Sequence, residues 1–210
     1  LIITPTLPML DAPIPESGFP FSLLASGEFL VGLLMGFVMS IVFAAIQIGG
    51  QIMDLQTGFG MMNVFNPALE TQFPIFGFFL FILAILYLVL INGHHSILQG
   101  LVYSYEHVPI GGLVVRPALF SEATRWGREM FVDGLMIAAP IGAAMLLAYV
   151  TMGILGRVVP QIHLFVVGFP FTIGLGLFLM SLTIGVYLRM LDGMFERMFQ
   201  NVETVIHGIG

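Results

Sequence analysis

The chain has 210 residues, of which 58% are hydrophobic and 9% charged, with 12 acidic residues, six arginines, no lysine and no cysteine. Its mean hydropathy is +1.03, whereas about a quarter of the residues of a soluble domain are charged, so the composition is that of an all-α integral membrane protein built from long apolar helices and helical hairpins. The lack of cysteine excludes disulfides and thiolate chemistry, and with no basic residue before Arg116 the clustered positive footprint of nucleic-acid binding is missing.

The chain opens on LIITPTLPML, without an initiator Met or a basic segment, so it does not read as a signal peptide. It reads as the tail of an upstream span, and the natural protein is expected to extend further towards the N-terminus. The first complete apolar run, Phe29 to Met53, lies between Glu28 and Asp54. As a helix it would be about 37 Å long, enough to cross a hydrocarbon core of about 30 Å. Gly32 and Gly36 give it a small-xxx-small spacing that lets helix backbones approach.

Leu55 to Pro74, LQTGFGMMNVFNPALETQFP, follows as a loop with a single charge, Glu70. A connection in water is normally polar. This one is apolar and irregular: Gly58 and Gly60 permit backbone shapes a helix forbids, Asn66-Pro67 breaks regular structure, and Met61 and Met62 are flexible gap fillers. At membrane depth such backbone is tolerated only inside protein or along a water-filled cavity. The loop is therefore expected to be buried at a pore or cavity.

Pro74 to Ile91 is expected to form a helix of about 27 Å ended by Asn92-Gly93. His94 to Asp133 is mixed. It holds an apolar turn, a loop from His107 to Pro117, and SEATRWGREMF, which predicts a short interfacial or protein-bound helix capped by Ser121, with Glu122, Arg125 and Glu129 at ion-pair spacings and Trp126 at an interface. The final third predicts a hairpin, with helices of about 34 Å over Gly134 to Gly156 and about 28 Å over Pro170 to Leu188. Arg157, Pro160, Gln161 and His163 form its polar turn. An amphipathic tail, Arg189 to Gly210, is expected outside the hydrocarbon. Loop arginines alone would put the regions around Arg116–Arg128 and Arg189–Arg197 in the cytoplasm and Arg157 on the other side.

No phosphate loop, hydrolase arrangement or nucleotide fingerprint is visible, and the five histidines show no metal-ligand spacing, so neither an enzyme nor a metal or cofactor protein is indicated. Asp54, Glu70 and Asp133 border apolar runs. They read as interfacial charges. An alternative is a proton-coupled secondary transporter in which Asp54, Asp133 and His94 relay protons.

Four ordered segments carry a resemblance: GGQIMDLQTGFGMMNVFNP (Gly49 to Pro67), NGHH (Asn92 to His95), HVPIGG (His107 to Gly112) and GRVVPQIHLFVVGFP (Gly156 to Pro170). They resemble the FliR family, the R subunit of the bacterial flagellar type III export gate, called SctT in virulence injectisomes. The similarity runs across essentially the whole chain, although the family normally has a further segment before the position of Leu1.

The resemblance implies a single-copy subunit assembled with several P and Q subunits into a pore-containing complex in the bacterial inner membrane, at the flagellar basal body. The B and A subunits lie nearby, and unfolded protein substrates pass through; no cofactor is implied. Residues 1–115 would be P-like and 116–210 a Q-like hairpin and tail. Residues 57–73 would be a plug projecting into the closed pore, with Phe59, Met61, Met62 and Phe65 as sealing residues and Gly58, Gly60 and Pro67 as hinges. The tip Arg157, Pro160 and Gln161 would face the cytosol, opposite to the arginine distribution; loop charge is a poor guide where helices pack on partners.

Overall fold

The computed structural model describes residues 18–61, 74–114, 116–159 and 164–209. Every regular element among them is helical. In chain order these are α1 (Gly18–Thr57), a single 3-10 turn (Phe59–Met61), α2 (Ile75–Leu90), α3 (Gly93–His107), α4 (Ala118–Val158) and α5 (Leu164–Ile209). Helices α1, α4 and α5 are each long and apolar enough to cross a membrane, and α2 with α3 forms a further apolar pair bent by 71°. Large apolar side chains stay exposed along them, including Phe19, Leu86, Leu146 and Leu147. In a soluble monomer such continuous apolar surface would be anomalous. The protein is an all-α membrane protein.

The helices are longer than the apolar runs suggest. Glu28 does not start α1, which begins ten residues earlier, and Asp54 does not end it. The expected short helix at 121–131 and the first hairpin helix are one element, α4. Asp133-Gly134 therefore is no break. Gly134 is instead a contact: a Cβ there would lie 3.0 Å from the Ala45 carbonyl oxygen, and one on Gly49 would lie 2.9 Å from the Gly134 oxygen. The tail likewise continues the second hairpin helix as α5. Met194, Met198, Val202, Val205, Ile206 and Ile209 are buried along its last turns, the i, i+3/i+4 spacing of a helix face that meets a core.

Two bends follow local chemistry. Pro74 precedes α2, and its carbonyl accepts a hydrogen bond from the Phe78 amide at 2.9 Å; proline is suited to this place because it needs no amide partner. Asn92 is left-handed, with φ 59° and ψ 23°, a conformation Asn tolerates better than most residues. The chain thus turns without ending the apolar segment. α3 replaces what reads from sequence as an apolar turn.

Two compact units are built from discontinuous stretches. The first comprises residues up to Val42, Leu88–Arg128 and Asp192–Gly210. Val31, Met35, Val38, Val108, Trp126, Val202, Val205, Ile206 and Ile209 form its core. Trp126, expected at an interface, is only 3% exposed; it belongs to this core although Arg125 and Arg128 flank it in the sequence. The connection before α4 also closes this unit, because the Val114 and Arg116 amides donate to the Ile209 and Gly208 carbonyls at 3.0 and 3.2 Å. They satisfy carbonyls that a helix C-terminus leaves free.

The second unit comprises Phe43–Tyr87 and Glu129–Leu191. Ile46, Phe76, Leu80, Ile141 and Met145 are its large buried side chains, and the Tyr187 hydroxyl donates to the Leu80 carbonyl at 2.8 Å. Its tightest point joins α1 to α2: a Cβ on Gly50 would lie 2.1 Å from the Gly77 Cα. Backbone meets backbone there, with no side chain able to yield. Gly50→Ala is expected to destabilise the isolated subunit by about 3 kcal/mol or to prevent its folding. Gly32→Ala, where a Cβ meets open space, should change stability by less than about 0.5 kcal/mol. Thermal unfolding in detergent followed by circular dichroism separates the two.

Candidate functional site

The apolar loop read from sequence leaves α1 and returns into α2, and both of its stems belong to the second unit. Asp54 joins them. It is one turn from the end of α1, 4% exposed, and its Oδ1 and Oδ2 accept hydrogen bonds from the Phe76 and Gly77 amides at 3.0 and 3.2 Å. These amides open α2 and have no partner within their own helix. The dipole of α2 also favours an acidic group at this end. A side chain of α1 therefore does for α2 what a capping residue normally does within its own chain segment. Gly50, four residues before Asp54, lies on the same face of α1, and its contact with Gly77 brings the carboxylate within reach.

The α1 stem is held on its other side too. The Thr57 hydroxyl donates to the Met53 carbonyl at 2.8 Å, and the Thr57 carbonyl accepts from the Thr172 hydroxyl of α5 at 2.9 Å. The Tyr149 hydroxyl of α4 donates to the Gln56 carbonyl. Carbonyls left free where α1 ends thus find donors on α4 and α5. Gly58 then takes φ +95°, the left-handed conformation that commonly follows a helix end and favours glycine. A Cβ there would lie 3.1 Å from the Phe169 ring. Phe59 continues into the 3-10 turn, half-buried, with its ring edge-on to Phe76 at a centroid distance of 5.5 Å.

The residues singled out from sequence are distributed unevenly. Gly58, Phe59 and Gly60 lie on the α1 stem, and the backbone of Met61 closes the 3-10 turn. Met62, Phe65, Pro67 and Glu70 lie outside the described residues, as do Pro160 and Gln161. Arg157 is exposed in the last turn of α4. Gly32 and Gly36 are exposed and meet nothing within the chain; the close glycine contacts are made by Gly49, Gly50, Gly77 and Gly134 instead. His94 is exposed in the first turn of α3, and Asp133 is half-buried in α4. Among the described residues no group of three or more His, Asp or Glu side chains is placed to hold a metal ion.

Thr57, Tyr149 and Thr172 are the surroundings that sequence reasoning missed, and Asp54, read there as an interfacial charge, is buried against the start of α2 instead. One signal was available for Asp54: it follows Gly50 by four residues, so any helix drawn close by that glycine meets the carboxylate. Thr172 and Tyr149 carry no such signal. With each carboxylate oxygen engaged by a backbone amide, Asp54 is arranged to hold two helices together.

Against this geometry the relatives are informative. The family described as bacterial export proteins, family 1, matches residues 1–198. The chain belongs to that family. Its relatives include the flagellar biosynthetic protein FliR of Escherichia coli strain K12, 31% identical over 204 residues, which covers 97% of this chain and 77% of the relative. FliR of Pectobacterium carotovorum is 32% identical over 209 residues, with 100% and 78% covered. FliR of Bacillus subtilis strain 168 is 29% identical over 195 residues, with 90% and 74% covered. The resemblance drawn from four short segments thus extends over residues 1–198 of this chain.

Asp54→Ala removes two charge-assisted bonds from a buried site and should destabilise the subunit by about 3 kcal/mol, whereas Thr172→Val, which removes one neutral bond, should cost about 1 kcal/mol. Denaturant unfolding in detergent with the two variants side by side checks both the order and the size.

Proposed function

We propose that this export-family protein is a structural and gating subunit of a flagellar type III protein-export channel in the bacterial inner membrane. The observation that carries the reading is the stem: an apolar, glycine-rich loop is fixed at both ends by a buried carboxylate and by donors from two further helices. Such anchorage suits a segment that must hold its place against pressure. Family membership and the relatives named flagellar biosynthetic proteins support the export assignment, and the three long apolar helices support the membrane.

In this reading residues 57–73 are the plug of the closed pore. Phe59, braced on Phe76, and Met61, Met62 and Phe65 exclude water and ions at rest; Gly58, Gly60 and Pro67 set the backbone path. Methionine suits a seal that must adapt to varied contacts. The chain assembles with P and Q subunits, near the B and A subunits, and unfolded substrate from the cytosol displaces the plug. Residues 1–115 act as a P-like part, and α4 with α5 as a Q-like hairpin whose tip, Arg157 to Gln161, faces the cytosolic entrance. Gly32 and Gly36, open on α1, pack against a neighbouring subunit. The protein's work is to form and close a conduit, with no bond made or broken.

Deleting Gly58 to Phe65, or changing Phe59 and Phe65 together to Ala, should make assembled gates leak ions at rest. Membrane conductance in cells, normalised to the amount of assembled complex, is the measurement. Unchanged conductance sinks the plug, and reduced assembly without a leak leaves the loop as packing material only.

A further inference from the structure

Whether the helix ends that carry the loop move when the channel works is a separate question from whether the loop seals it. The stem has the marks of a permanent joint. Asp54 is buried and bonded to both opening amides of α2. Thr57 is fully buried, with its hydroxyl on the Met53 carbonyl and its carbonyl on Thr172. A Cβ on Gly176 would lie 2.4 Å from the Thr57 Cγ2, and one on Gly58 would lie 3.1 Å from the Phe169 ring, so α5 lies directly against this stem. Separating α1 from α2 would strand a carboxylate and two amides together in an apolar interior, and each would be left without its partner.

We infer that Asp54 is a positioning residue whose clamp on α2 stays closed throughout the transport cycle. The ends of α1 and α2 form a fixed post, and any movement that admits substrate leaves Met53–Gln56 and Phe76–Gly77 in register. Asp54 acts on the seal only indirectly, by setting where the loop leaves and returns. This rests on the plug reading above and adds to it the part of the machine that does not move.

The chain contains no cysteine, so single cysteines report cleanly. Met53→Cys and Leu80→Cys, both at buried positions outside the loop, are placed in the full chain, assembled in cells that still export, and exposed to a small membrane-permeant maleimide with export running and with export blocked. Equal, low labelling in both conditions is the expected result. A severalfold rise in labelling of either cysteine during export overturns the inference. Asp54→Asn supplies a second, functional readout, because its amide can accept from one α2 N–H but confronts the other with a donor. Complexes carrying it should assemble and show a severalfold higher resting ion conductance than the parent. Assembled complexes with parental conductance overturn the positioning role, and if the variant fails to assemble the two cysteines still decide the matter. Failure of the plug reading is seen elsewhere, as an unchanged conductance when Gly58 to Phe65 is deleted.

Discussion

Two backbone amides at the start of α2 meet one carboxylate on α1, and the glycines at 50 and 77 let them do so. Much of the second unit follows from this junction. It sets the point at which α2 begins and orients the chain on either side of the loop. It also brings the end of α1 to where Tyr149 and Thr172 can reach its last carbonyls. Each of these groups would be expensive to bury alone. Together they satisfy one another, so the most polar spot of the unit is also one of its most constrained.

Elsewhere among the described residues a large part of the apolar surface faces outward. With lipid or partner subunits on one side and protein on the other, hydrophobicity does not distinguish an inner face from an outer one. Specificity must come from shape and from the few polar groups. Close backbone approach at Gly49, Gly50, Gly77 and Gly134 supplies the first, and the loop stem supplies the second. For a bacterial export protein of the membrane this division is apt: apolar surfaces remain open outside, while a small polar joint ties the ends of two helices together.

How much of this was legible in the sequence depended on which signal each residue gave. The membrane class, the all-helical fold and the anomalous loop were plain, because uncharged apolar runs and glycine-proline punctuation are local properties. Helix ends were not. Glu28, Asp54 and Asp133-Gly134 looked like boundaries, since charge and glycine usually mark them, yet all three lie inside helices: Asp54 caps another helix, and Gly134 is required for close approach. Trp126 was misread for another reason. Its charged neighbours, Glu122, Arg125, Arg128 and Glu129, suggested an exposed helix, whereas Trp126 itself lies on the face that turns into the core. Thr172 and Tyr149 were invisible because their partners lie 115 and 93 residues away, and an uncharged hydroxyl in a helix gives no sign of what it will meet.

The interleaving of the two units bears on how the protein is made. The second unit draws on Phe43–Tyr87 and Glu129–Leu191, so all its parts have been synthesised once Leu191 emerges. The first unit waits longer. Its core needs Val202, Val205, Ile206 and Ile209, and the amides of Val114 and Arg116 meet their acceptors only at Gly208 and Ile209. Domains tend to fold as units during synthesis, N-terminal ones first; here that order is reversed, and the early stretch of α1 must remain in the membrane without its final neighbours until the last turns of α5 arrive. A nascent chain stalled near Leu191 would hold every part of the second unit while the first still lacked the last turns of α5, and with them Val202, Val205, Ile206 and Ile209 of its core.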